Sequence, residues 1–187
     1  MERPLWLRIA LRISALNDSV GRVVRVFTLI MVIVGAYNAL ARYVTRASGI
    51  ALTSNALLEL QWYLFSLVFL LAGAYTLRHN AHVRVDVWYS RLSARARAWI
   101  DLLGTLVFLL PFSVMMVVVS WPMVWNSWAV WEMSPDPGGL PRFPIKSIIP
   151  IAFLLLALQG IAEAARALAF LKGYLSEYPE EIPTEDL

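Results

Sequence analysis

Four long apolar runs, at about residues 20–41, 55–77, 98–121 and 147–171, set the main constraint on this chain. A helix needs roughly 20 mostly apolar residues to cross the hydrocarbon core of a bilayer. In that medium each backbone N–H and C=O must be paired inside the protein, which leaves helices and closed barrels as the only spanning structures. Unbroken apolar runs, without the alternation of a barrel strand, select the helix. The expected fold class is therefore all-α integral membrane, with four transmembrane helices. Composition agrees, since 59% of the residues are hydrophobic and only 16% charged, with a mean hydropathy of +0.64. The connections are too short for a separate soluble domain. We expect one four-helix domain over 20–172, an amphipathic segment at 1–19 on the cytoplasmic face, and an acidic cytoplasmic tail at 173–187.

Charge placement gives an orientation. Arg3, Arg8, Arg12, Arg22 and Arg25 precede or open the first run, Arg78, Arg84, Arg91, Arg95 and Arg97 flank the middle connection, and Arg166 and Lys172 end the last run. The other two connections hold only Arg42, Arg46, Arg142 and Lys146. Four spans put the first three groups on one side, and the positive-inside rule makes that side cytoplasmic, with both termini inside. The first run lacks a small-residue cleavage site and reads as a retained helix rather than a signal peptide. Cysteine is absent, so disulfides, iron–sulfur clusters and thiolate zinc sites are excluded.

Residues 1–19 carry Leu5, Trp6, Ile9, Ile13 and Leu16 at helical spacing among arginines, the pattern of a helix lying along a membrane surface; the plainer reading is a basic terminus. Asn17, Asp18 and Ser19 offer N-cap chemistry for the first span. In the second span Glu59, then Trp62 or Tyr63, Ser66, Leu70 and Gly73 follow at three- or four-residue steps. An ionisable group within a span usually faces protein or a water-filled cavity, and small residues permit close helix approach. Glu59 thus marks either a partner-facing seam or ion pathway, or a carboxylate favoured by the helix N-terminus.

The middle connection holds His79 and His82, but no cysteine or second carboxylate completes a metal shell, and Val83, Val85 and Val87 alternate with Arg84 and Asp86 as in extended chain. Asp86 is expected to cap a short interfacial helix and Ser93 the third span. Pro111 falls mid-span and predicts a kink. Trp121, Trp125, Trp128 and Trp131 suit an interfacial aromatic belt better than a ligand-stacking platform. Residues 132–146 are rich in Pro and Gly and predict a rigid irregular loop, the natural outer contact surface unless it is only a re-entry turn. The fourth span is expected to start near Ser147 with Pro150 in its first turn, and carries Gln159 and Glu163 beside Gly160, Ala164 and Ala167.

Several of these residues together resemble the small membrane subunit (DctQ-like small permease) of tripartite ATP-independent periplasmic (TRAP) transporters. They are Glu59, Trp62, Tyr63 and Gly73 in the second span, Arg78 and the run His82-Val83-Arg84-Val85-Asp86, the Ser134-Pro135 turn, Pro144-Ile145-Lys146, Pro150, and Leu158-Gln159-Gly160. The similarity covers roughly residues 25–172, with Ala81 where many relatives have glycine. The resemblance implies a multi-pass protein of the bacterial inner membrane, acting as a noncatalytic scaffold for a large polytopic subunit that takes up a small organic acid by ion-gradient symport. A periplasmic substrate-binding protein would deliver that acid.

On this resemblance the large-subunit interface would include Glu59, Trp62, Ser66, Gly73, Gln159 and Glu163. Arg78, His82, Arg84 and Asp86 would form a cytoplasmic loop motif, and Glu132, Ser134, Pro135, Arg142 and Lys146 the periplasmic surface. No cofactor is expected on this chain, sodium being expected on the large subunit. Membrane lipids are expected partners and nucleic acid is not. The alternative is a membrane anchor for a haem- or quinone-linked redox enzyme, which would call for histidine inside the bundle. No phosphate-binding loop, nucleophile–base pair or acid/base carboxylate pair is present.

Overall fold

The computed structural model describes residues 4–82, 89, 91–175 and 178. Among them there are four helices long and apolar enough to cross a membrane. α1 spans Leu5–Ser48 and α2 spans Asn55–Arg78. The third crossing is built from α3 (Ala94–Gly104), a π-helical turn (Thr105–Leu109) and α4 (Leu110–Ala129). The fourth is α5 (Arg142–Leu171). α5 packs against α1, α2, α3 and α4 and forms the axis of the bundle. Pro4 and the start of α1, residues 79–82 and 91–93, and residues 172–175 share one end, here the terminal end; residues 49–54 and 130–141 make the distal end.

The first helix differs from the sequence expectation. No break separates an interfacial segment from the span, because Leu7, Ala10, Ser14, Asn17, Gly21 and Val24 form one buried stripe at alternating steps of three and four. That stripe keeps a single helix face against the bundle. Asn17 is wholly buried and does not cap, and Ser19 returns its hydroxyl to the Ala15 carbonyl at 3.0 Å. Gly21 is needed where it stands, because a Cβ there would collide with the Tyr75 ring of α2.

Where Pro111 predicts a kink in the span, the structure has a π-helical turn just before it. With no N–H to give the Val107 carbonyl, the preceding turn widens, and Leu110 N–H bonds Thr105 O, five residues back. Such π-bulges are a recognised cause of helix bending. The fourth helix starts earlier than expected, at Arg142 rather than near Ser147. Pro141 is its N-cap and Pro144 falls in the first turn, where a missing N–H costs nothing. Pro150 therefore lies inside the helix, buried, rather than in its first turn.

Helix ends follow local chemistry. Ser54 and Ser93 accept from the backbone N–H three residues on, capping α2 and α3. α2, α4 and α5 end in the same two-bond motif, with the residue after the cap in the left-handed region: Asn80, Trp131 and Gly173. At each, the next N–H returns to the carbonyl five back, Ala81 to Thr76, Glu132 to Ser127 and Tyr174 to Ala169. Trp131 is a costly residue at φ +49°; its ring packs 5.1 Å from Phe143 and 6.0 Å from Trp128.

Candidate functional site

Polar side chains gather in two places, one at each end of the bundle. At the distal end Glu59, on the second turn of α2, is only 4% exposed. Its carboxylate accepts from the Ser134 hydroxyl and from the Leu140 backbone N–H. Tyr63, one turn on, donates to the Pro141 carbonyl at 2.9 Å, and Asn55 donates to the Pro137 carbonyl at 3.0 Å. Three residues on one face of α2 thus hold the 134–141 loop. The loop ties itself as well, with Ser134 N–H to Leu140 O at 3.2 Å and Arg142 N–H to Glu132 O at 2.8 Å. Gly139 lies so close that a Cβ would stand 2.8 Å from a Glu59 oxygen and 2.5 Å from Ser134 Cβ.

The left-handed turn at Trp131 swings Glu132 back over the bundle, where Lys146 and the Ser127 hydroxyl both donate to its carboxylate. These two donors, Lys146 first, hold the Glu132 carboxyl below its ordinary range. Trp128 ties the same corner by donating to the Ser147 hydroxyl at 2.8 Å. Of the residues expected on the outer surface, Glu132, Ser134, Arg142 and Lys146 are half-buried, and Glu132, Ser134 and Lys146 are bonded inward; Pro135 is exposed. The outward part of this loop is Pro135 to Gly138.

Towards the terminal end, Gln159 of α5 is wholly buried. It accepts from Asn17 Nδ2 at 2.8 Å and donates to Glu163 at 2.7 Å and to Ser14 at 3.4 Å. Glu163 also pairs with Arg166 one turn on, at 3.4 Å. Asp18, next to Asn17, reaches His79 at 3.0 Å and Arg78 at 4.0 Å, clamping α1 to the end of α2. On α3, Asp101 accepts from Tyr89 and from Tyr178, which ties the C-terminal segment to the third crossing. Burial and the Asp101 carboxylate both raise the Tyr178 pKa. His82 meets the Thr76 hydroxyl at 3.2 Å. Arg84 and Asp86, with the expected Asp86 cap and most of the His-Val-Arg-Val-Asp run, lie outside the described residues.

The sequence-selected interface residues therefore separate into two groups. Glu59, Gln159 and Glu163 are bonded within the chain, whereas Trp62, Ser66 and Gly73 lie on the outer face of α2. Trp62 is 41% exposed, and Gly73 has open space where a side chain would be. Sequence reasoning missed Asn17 and Ser14 as buried partners; the three-and-four stripe through Gly21 was the signal that held them. It also missed Asn55, whose partner lies 82 residues away, and the bond from Tyr89 to Asp101, 12 residues on.

Chemically, both clusters hold helices and loops in place. Among the described residues no group of three or more His, Asp or Glu could hold a metal ion. Both histidines are at a helix end, bonded to Asp18 and Thr76, rather than between helices. The class defined by this architecture is a four-helix integral membrane protein with two inward-bonded polar clusters that tie its helices and loops together. Residues 30–170 match the family described as tripartite ATP-independent periplasmic transporters, DctQ component. The chain belongs to that family, as a small multi-pass inner-membrane component of a TRAP transporter. Nothing matches among the curated proteins or among the solved structures.

Proposed function

We propose that the chain is the fixed scaffold of its transporter, noncatalytic, with both termini in the cytoplasm. It would hold a large polytopic subunit that carries sodium and a small organic acid, while a periplasmic binding protein delivers the acid near the 135–138 loop. The observation that carries this reading is the outer face of α2. Trp62, Ser66, Phe69 and Gly73 lie on one stripe, at steps of four, three and four. Trp62 and Phe69 are 41% and 70% exposed, and between them Ser66 uses its hydroxyl on its own Trp62 carbonyl at 2.8 Å. Alongside runs a groove between α1 and α2, of about 500 Å³, lined by Gly35, Leu58, Gln61, Trp62 and others. Gln61 is exposed within the span; its oxygen accepts from Asn38 Nδ2 at 3.2 Å, and its amide N–H groups are costly against lipid and normally covered by protein. Bulky aromatics, an open glycine and a groove suit the knobs of another helix.

The bonds of Glu59 and Gln159 serve the same role from inside, by making the chain a rigid support. Gly73→Leu tests the assignment, since open space at Gly73 leaves the chain's own packing untouched. The expected result is an intact, monodisperse chain that no longer retains the large subunit and no longer supports organic-acid uptake by the reconstituted system. Full retention and unchanged uptake would remove α2 from the interface.

A further inference from the structure

The terminal end carries an excess of outward-facing cations for which the described part of the chain has no counter-charge. Arg8, Arg12, Arg22 and Arg25 on α1, Arg91 and Arg95 at the start of the third crossing, and Lys172 after α5 are all exposed. The described carboxylates of that end face inward: Asp18 to His79 and Arg78, Asp101 to two tyrosines, Glu163 to Gln159 and Arg166. At the distal end Lys146 is turned onto Glu132, and the exposed cations there are Arg42 and Arg46, against seven at the terminal end.

The length of α1 fixes the depth of its arginines. Its 44 residues make a rod of about 66 Å, against about 30 Å of hydrocarbon and 40–45 Å of whole bilayer. Between Arg25 and Arg42 no residue is charged, a stretch of about 25 Å along the axis. When Arg42 and Arg46 occupy one headgroup layer, Arg25 and Arg22 fall in the other. Around them Val23 and Val26 are 49% and 54% exposed, so the same surface offers guanidinium groups for phosphate and aliphatic side chains for acyl chains. Arg22 is also oriented, donating to the Ser19 hydroxyl at 2.8 Å.

We propose that this collar, centred on Arg22 and Arg25, is a binding surface for the headgroups of anionic phospholipids. Guanidinium forks match phosphate oxygens bidentately, and each cation near an anionic membrane surface strengthens binding roughly fivefold. The bound lipid would fix the depth and tilt of a helix much longer than the bilayer is thick. This inference needs only the membrane residence of the chain and does not rest on the α2 interface.

The test uses the full chain, purified and placed in nanodiscs containing equal amounts of phosphatidylglycerol and phosphatidylcholine with identical acyl chains. Lipids that remain bound are counted by native mass spectrometry after release into detergent. The chain should retain phosphatidylglycerol preferentially, and R22Q/R25Q should reduce that preference roughly 30-fold with phosphatidylcholine unchanged. R22K/R25K, which keeps the charge, should preserve most of it, and R42Q/R46Q at the other end should leave it intact. Equal retention of the two lipids by the unaltered chain would overturn the proposal. So would an undiminished preference in R22Q/R25Q.

Discussion

Removing the Gln159 amide tests whether the buried polar tie between α1 and α5 holds the bundle. Gln159→Leu keeps a similar volume but deletes the bonds to Asn17, Ser14 and Glu163. Side-chain hydrogen bonds between membrane helices contribute about 0.6 kcal/mol on average and up to about 1.7. Leaving the Asn17 amide buried without an acceptor adds about 1–3 kcal/mol. The single variant should therefore lose about 2–5 kcal/mol. Asn17→Leu should cost less, because Asn17 Oδ1 has no partner among the described residues and its removal relieves a desolvated oxygen. The double variant sets leucine against leucine, and its loss should fall short of the summed singles by about 1–2 kcal/mol. Reversible unfolding in mixed micelles with increasing dodecyl sulfate, followed by circular dichroism, measures all three. Additive losses, with coupling under about 0.5 kcal/mol, would refute the tie.

Two further perturbations address the distal end. Gly139→Ala drives a Cβ onto Ser134 and the Glu59 carboxylate and should cost about 1–3 kcal/mol while making the 135–138 segment cleavable by protease; Gly73→Ala, in open space, should do neither. Glu132 is held below its ordinary pKa by Lys146 and Ser127. A lowered carboxylate pKa gives stability that is present above the unfolded value and is lost as pH falls through the folded one. Melting temperature should accordingly drop on acidification below the usual carboxylate range, and Glu132→Gln should flatten that acid limb; an identical limb in the variant would place the titration elsewhere.

The helical, four-crossing architecture was legible because apolar runs of membrane length admit one solution. Ser93 as a cap and Pro111 as a distortion were legible because both act through neighbouring backbone. What the sequence hid was the use of individual polar residues. Asn17, Asp18 and Ser19 look like a cap to any local rule, yet tertiary packing continues the helix through them and spends Asn17 on Gln159 and Asp18 on His79. The early start of α5 was hidden for a related reason, since Pro144 and Pro150 compete for the first turn and the bond from Arg142 N–H to Glu132 O decides between them. Glu59 was recognisable as a membrane carboxylate needing a partner, but its partners, Ser134 and the Leu140 N–H, lie about 80 residues away. No spacing rule reaches that far.

The most direct test of the scaffold account is to purify this chain, tagged at its C-terminus, from native membranes in mild detergent and weigh what comes with it. The account predicts stoichiometric recovery of one large polytopic membrane protein, lost in Gly73→Leu and kept in Gly73→Ala. Recovery of the chain alone, or with a soluble flavin or iron–sulfur subunit, would contradict it.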